Sequence, residues 1–136
     1  MFMSPRSDDK SIADEELLWR RICDVPQWIK KLEDGEIKPS SAAFLDNFTN
    51  EVSVNVASLT TQEKVMEKYP DMGLVSIKAG MPRSIGHIIA ATPEIEDTSH
   101  RVICPPPDIK GSKRKSLARR MAEESKWILY PKTHRN

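Results

Sequence analysis

The chain is poor in cysteine, glycine and aromatic residues: of 136 residues, two are cysteine, five are glycine and 6% are aromatic. Cys23 and Cys104 stand far apart and form no CxxC pair, a usage that fits a reducing cytoplasm better than a disulfide-stapled secreted scaffold. Both read as buried thiols of a reducing cytoplasm. Long hydrophobic runs are also missing, since every apolar stretch is short and interrupted by charge, so no transmembrane helix and no membrane partner are expected. Residues 1–10 carry Pro5, Arg6, Asp8 and Asp9 where a signal peptide would need an apolar core, which makes the expected location cytoplasmic. Proline, by contrast, is plentiful at ten residues. With few aromatics, that argues for a small α+β core threaded by ordered loops, and the length suits one domain that folds without staples.

A formal net charge of only +1 hides an asymmetry. From Lys110 onward the chain carries nine bases (Lys110, Lys113, Arg114, Lys115, Arg119, Arg120, Lys126, Lys132 and Arg135) against Glu123 and Glu124, a net +7. The remainder holds twelve bases and eighteen acids, a net −6. A clustered positive segment is the electrostatic footprint of a phosphate-bearing or acidic partner, whether nucleic acid or an acidic protein surface.

Residues 1–13 are polar and without periodicity, and read as a disordered lead. Leu18 and Ile22 of LLWRRI share a helical face, although the same run suits a strand. Pro26 opens a helical turn that places Trp28, Ile29 and Leu32 inward and ends at Asp34-Gly35. Val52, Val54 and Val56 alternate with Ser53 and Asn55 as a half-buried strand. Thr60 and Glu63 form a capping box for a helix running to about Tyr69, which Pro70 stops. Leu74–Ala79, His87–Ala91 and His100–Cys104 read as further strands, and the first of these would pair in parallel with the Val52 strand if the two are neighbours. Pro105-Pro106-Pro107 would end the sheet and project the basic segment away. A helix over about 114–126, capped by Ser112 or Ser116, would turn Leu117, Met121 and Ile128 inward, with Trp127–Tyr130 as its end or as a last strand. The expected fold is one α+β domain over residues 14–131: a small mixed sheet of four or five short strands with two or three packed helices. Residues 132–136 are expected to be a flexible tail.

The KGSKRK stretch has two readings. In the first, Lys110, Lys113, Arg114, Lys115, Arg119 and Arg120 contact an anion at a helix N-terminus, with Gly111 allowing close backbone approach. In the second, they are a solvated face or fold back on the acidic remainder. No GxxxxGK[ST] loop is present. His100 and Cys104 have the spacing of a zinc half-site, with His87 or Cys23 as further ligands, but no second close pair exists, and no metal or cofactor is expected. Pro70-Asp71 followed by Ser76-Ile77-Lys78 lacks the second carboxylate of a metal-dependent nuclease. An NAD-consuming ADP-ribosyltransferase-like enzyme would need an early Arg, a later strand Ser and a His, roles that Arg20 or Arg21, Ser53, and His87 or His100 fill in order. No late Glu sits in a strand context for that chemistry.

The segments LLWRRI, PSSAAF, VSV, GLVSIKAGMPRSIG and SHRVI, in that order, resemble a family of small uncharacterised bacterial single-domain proteins over residues 17–127. The resemblance implies a standalone bacterial domain, supplies no activity, and singles out Arg83, Gly86 and His100. Their structural reading is that Gly86 turns the chain, Arg83 binds backbone carbonyls and His100 caps its strand. The leading functional expectation is a non-catalytic module contacting nucleic acid or another anionic partner through its basic C-terminal segment. The alternatives are a protein-interaction subunit without nucleic acid and the NAD-consuming enzyme.

Overall fold

The computed structural model describes residues 6–46 and 49–135. The chain forms a six-stranded sheet from β1 (Leu17–Ile22), β4 (Val52–Val56), β5 (Gly73–Lys78), β6 (Ile88–Ala91), β7 (His100–Cys104) and β8 (Lys126–Leu129), in the order β6-β7-β4-β1-β5-β8. A separate hairpin joins β2 (Ile29–Lys31) to β3 (Ile37–Pro39), and the helices are α1 (Gln62–Met66), α2 (Gly80–Ser84) and α3 (Gly111–Glu124). The α+β class is as expected. The sheet has more strands than expected and is antiparallel at every pairing rather than mixed. β4 and β5 do run the same way, but β1 lies between them and pairs with both, so their connection through α1 crosses over a third strand.

Alternation sets the core. Leu18 and Ile22, Val52, Val54 and Val56, Val75 and Ile77, and Ile89 and Ile103 share one sheet face and are all buried. α3 lies across that face through Ala118, Met121 and Ala122, each about 1% exposed, and Ala43 and Phe44 fill the space beside it. Leu18 and Ile22 are four apart, a spacing that satisfies both a helix and a strand, and pairing with β5 along the whole of β1 decides for strand.

Several local expectations fail for identifiable reasons. The Pro26 helix is only a 3-10 turn, Pro26–Trp28, and Asp34-Gly35 turns a hairpin instead, with Gly35 at φ +88°. The cap of α1 is Thr61, accepting from the Lys64 N–H at 3.2 Å, not Thr60, and α1 ends at Met66. Pro105–Pro107 does not project the basic segment away, because Ala118, Met121 and Ala122 give α3 an apolar stripe that must be buried. No side chain caps α3, and Ile128 lies in β8, 38% exposed.

The described ends of the chain are held as well, so residues 132–135 are not the flexible tail expected of 132–136, and Asn136 lies outside the described residues. Of the expected lead, Met1–Pro5 lies outside the described residues. From Arg6 on it is docked: Asp9 N–H donates to the Ile89 carbonyl at 2.7 Å, Asp8 bridges to Ala90, and Ile12 is 5% exposed in the core. At the other end, Thr133 donates its hydroxyl to Asp24 at 2.7 Å, and Arg135 donates to the carbonyls of Tyr130, Pro70 and Met72. Among the described residues no helix is long and apolar enough to cross a membrane.

Candidate functional site

The six bases expected to meet an anion do not act alike. Arg114 is half-buried and donates to the Asp46 carbonyl at 3.1 Å, so it ties α3 to the chain before β4. Lys110, Lys113, Lys115 and Arg120 are exposed, and among the described residues they form no ion pair. Their layout opposes the helix. Lys113 and Lys115 stand in the first turns of α3 and Glu123 and Glu124 in the last, with no acid in the first turn and no base in the last. The positive end of the helix dipole thus faces cations and the negative end faces anions, at about 0.3–1 kcal/mol for each exposed charge. That arrangement costs helix stability and concentrates positive field at one end.

Arg119 points elsewhere. It lines a groove of about 540 Å³ between α3 and the β2–β3 hairpin, together with Lys30, Lys38 and Glu123 on the rim and Ile29, Leu32, Pro39 and Ala122 as its apolar lining. Lys30 lies directly opposite Lys38 across the hairpin. Two like charges in that position are destabilising, so the hairpin's own stability does not account for them. Sequence reasoning missed both lysines. The Asp34-Gly35 turn was the signal, because a tight turn there sets the strands that bring residues 30 and 38 together.

The residues considered for an NAD-consuming site divide between the two faces of the sheet. Arg21, Ser53 and His100 lie on the face away from α3, in line with Trp19, Asn55 and Ser76. Arg20 and His87 lie on the core face. Arg21 is already occupied, donating to the Val65 carbonyl at 3.0 Å and resting on the Tyr69 ring at 4.6 Å. Arg20 wedges between β1 and the chain beside it: it donates to the carbonyls of Ala43 and Ser53, each at 2.9 Å, and stacks 5.1 Å from the Trp28 ring. Burial lowers its pKa to about 10, with Cys23 and Asp46 acting in the opposite direction. His100 pairs its Nδ1 with the Thr92 hydroxyl at 2.8 Å, at the start of β7. Cys104 is half-buried, and burial beside Glu51 pushes its thiol up to about 11, far from a reactive thiolate at neutral pH.

Arg83 serves the fold. Its guanidinium donates to the Ile12 carbonyl at 2.7 Å, the Asp14 carboxylate at 2.8 Å, the Asp9 carbonyl at 2.9 Å and the Asp8 carboxylate at 3.0 Å. Gly86, at φ +92°, turns the chain into β6, and an added Cβ would meet Pro106 at 3.0 Å.

His87 is 6% exposed, lines a cavity of about 10 Å³ under α3 with Asn50, Arg114 and Met121, and its buried Nδ1 has no hydrogen-bond partner among the described residues. The cavity has room for about one water molecule. Burial lowers the pKa of His87, against a contact with the Ile85 backbone that raises it, and burial also lowers that of His100, against Asp97. Both imidazoles are therefore easier to protonate in the unfolded chain. Their contribution is complete above the unfolded pKa of about 6.5 and is lost as pH falls below it, at no more than about 1.4 kcal/mol per pH unit for each histidine. Urea midpoints are expected to drop between about pH 7 and pH 5, and His87→Gln should flatten that slope.

Compared with protein-family models, curated proteins and solved structures, the chain matches none of them. What it does must therefore be read from its own surface.

Proposed function

We propose that this chain is a non-catalytic binding module that holds a phosphate-bearing polymer, such as a nucleic acid, on the outer face of α3. The observation that supports this reading is the charge layout of that helix. Lys110, Lys113, Lys115 and Arg120 are exposed and without ion-pair partners among the described residues, on a scaffold whose remaining sequence is acidic. Lys110, Lys113 and Lys115, at the N-terminal end of α3, stand against the dipole and weaken the helix, and a polyanion laid across them reverses the sign of that effect. The acidic body repels the same polymer and so confines it to this face.

The test is fluorescence anisotropy with labelled single-stranded and duplex oligonucleotides over a salt series. Binding is expected to weaken steeply with salt, and the combined change Lys113→Ala, Lys115→Ala and Arg120→Ala should reduce the slope by about 0.7–0.9 for each phosphate no longer neutralised, up to about three units in all. Arg114 is excluded from that set, since it supports α3 through Asp46. Affinity that ignores both salt and the triple change would refute the reading.

A further inference from the structure

We propose that the groove between the β2–β3 hairpin and α3 receives the β6–β7 loop of a second copy of this chain. The inference goes beyond the anion-binding reading and rests on different side chains. The groove combines an apolar lining, Ile29, Leu32, Pro39 and Ala122, with the cations Lys30, Lys38 and Arg119 against the single acid Glu123. Its occupant must therefore offer an apolar side chain flanked by negative charge. Within this sequence, Glu94-Ile95-Glu96-Asp97 is such a segment, and it forms an exposed loop.

That loop is shaped for presentation. Its base is pinned: the Ile95 N–H donates to the Thr92 carbonyl at 3.0 Å, the His100 N–H donates to the Asp97 carbonyl at 3.1 Å, and Asp97 accepts from the Ser99 N–H and from Asn55. Ile95, 41% exposed, stands between Glu94 and Glu96 at the tip. A loop already held in one shape loses little conformational freedom on docking. Glu94 is shared with Arg6 at 2.8 Å but stays half-exposed, and Glu96 is exposed.

Loop and groove cannot meet within one molecule. The loop joins β6 to β7 at one edge of the six-stranded sheet, whereas the hairpin packs beside β8 at the other edge, where Trp127 Nε1 donates to the Ile37 carbonyl at 2.9 Å. Five strand spacings of about 4.8 Å separate the edges by roughly 24 Å. The contact is therefore between copies, loop of one to groove of the next, and uses two different patches. It also gives the like-charged pair Lys30 and Lys38 a purpose, since the arriving carboxylates neutralise it.

The experiment is sedimentation velocity on the full chain across a concentration series. Wild type is expected to show an average mass that rises with concentration and falls with added salt. The groove variant Lys30→Glu with Lys38→Glu, and the loop variant Ile95→Asn with Glu96→Lys, should each associate at least tenfold more weakly while melting close to wild type, because Lys30, Ile95 and Glu96 are exposed and Lys38 is only half-buried. Mixed in equal amounts, the two variants should form a one-to-one complex and nothing larger, since each keeps one working half. Wild type that stays monomeric at every concentration would overturn the proposal, and so would association that survives both variants. A monomeric wild type that binds a labelled acidic peptide in the groove would overturn it too, by giving the groove a foreign occupant. Association abolished by the Lys113, Lys115 and Arg120 changes but kept in the groove variant would likewise count against it. Oligonucleotide binding by the groove variant reads the α3 face separately, so either proposal can fail without the other.

Discussion

Replacing Met121 with Asp is expected to destabilise the chain by about 2–4 kcal/mol, among the largest effects any single substitution here should have. Met121 is 1% exposed on the inner face of α3, packed with Ala118 and Ala122 over the sheet face that carries Val54 and Ile103. A carboxylate at that position would sit among apolar side chains, so it must either bury a charge or take up a proton, and both raise the energy of the folded state. The thioether's dispersion attraction to its neighbours goes as well. Met121→Leu keeps the volume and should cost less than about 1.5 kcal/mol, and Arg119→Ala, on the opposite side of the helix, less than about 0.5 kcal/mol. Urea titrations of the three variants rank them. If Arg119→Ala proved the most damaging, α3 would be rotated from the orientation described, and the outward cations with it.

The same helix shows how far the sequence could be read and where it stopped. Met121 announced itself as an inward residue through helical spacing, and Val52, Val54 and Val56 announced a strand through alternation, because one buried face imposes a period on the residues that fill it. Ile128 did not fit that logic, since a helix of 14 residues ends at Glu124 and the chain reverses into β8, a tertiary event with no periodic trace. Strand partners were equally hidden. β1 lies between β4 and β5 although 29 residues separate its end from Val52, and nothing local in LLWRRI names its neighbours.

For the candidate site, the cations of α3 were legible as a cluster, but their division was not. Arg114 turns in toward Asp46, Arg119 faces the groove, and the others face solvent, a sorting that depends on where the hairpin and the chain before β4 pack. The groove itself joins residues 29–41 to residues 119–123, so only the fold could assemble it. Its two lysines were separately ordinary. Only their register across the hairpin makes them conspicuous.

Removing the Arg83 side chain is the second change expected to act strongly, and it acts on the N-terminal segment. In Arg83→Ala, four hydrogen bonds disappear at once, two to carboxylates and two to carbonyls. Asp8, whose side chain is 12% exposed, is left with the Ile89 N–H and the outlying Lys10. Breaking a partly buried ion pair from one side costs about 3–5 kcal/mol when the remaining charge is fully enclosed, and somewhat less here, because Asp14 is exposed. Lys cannot replace the guanidinium fork, so Arg83→Lys should recover only part of the loss. The effect should be local: amide exchange at Asp9 and Ile12 is expected to accelerate, and limited proteolysis to cut within residues 6–13, while protection in β1 and β5 changes little. Acid should mimic the variant. Burial alone would raise the Asp8 pKa, but the Ile89 N–H and Arg83 outweigh it and hold the carboxyl below its ordinary value. Its contribution is therefore complete above the unfolded pKa of about 3.9 and is lost as pH falls through the lower folded value. Wild type should release the segment only below about pH 4, a window separate from that of the two histidines. Uniformly raised exchange across the sheet in Arg83→Ala would mean that residues 6–13 are part of the cooperative core rather than a strap clamped onto it.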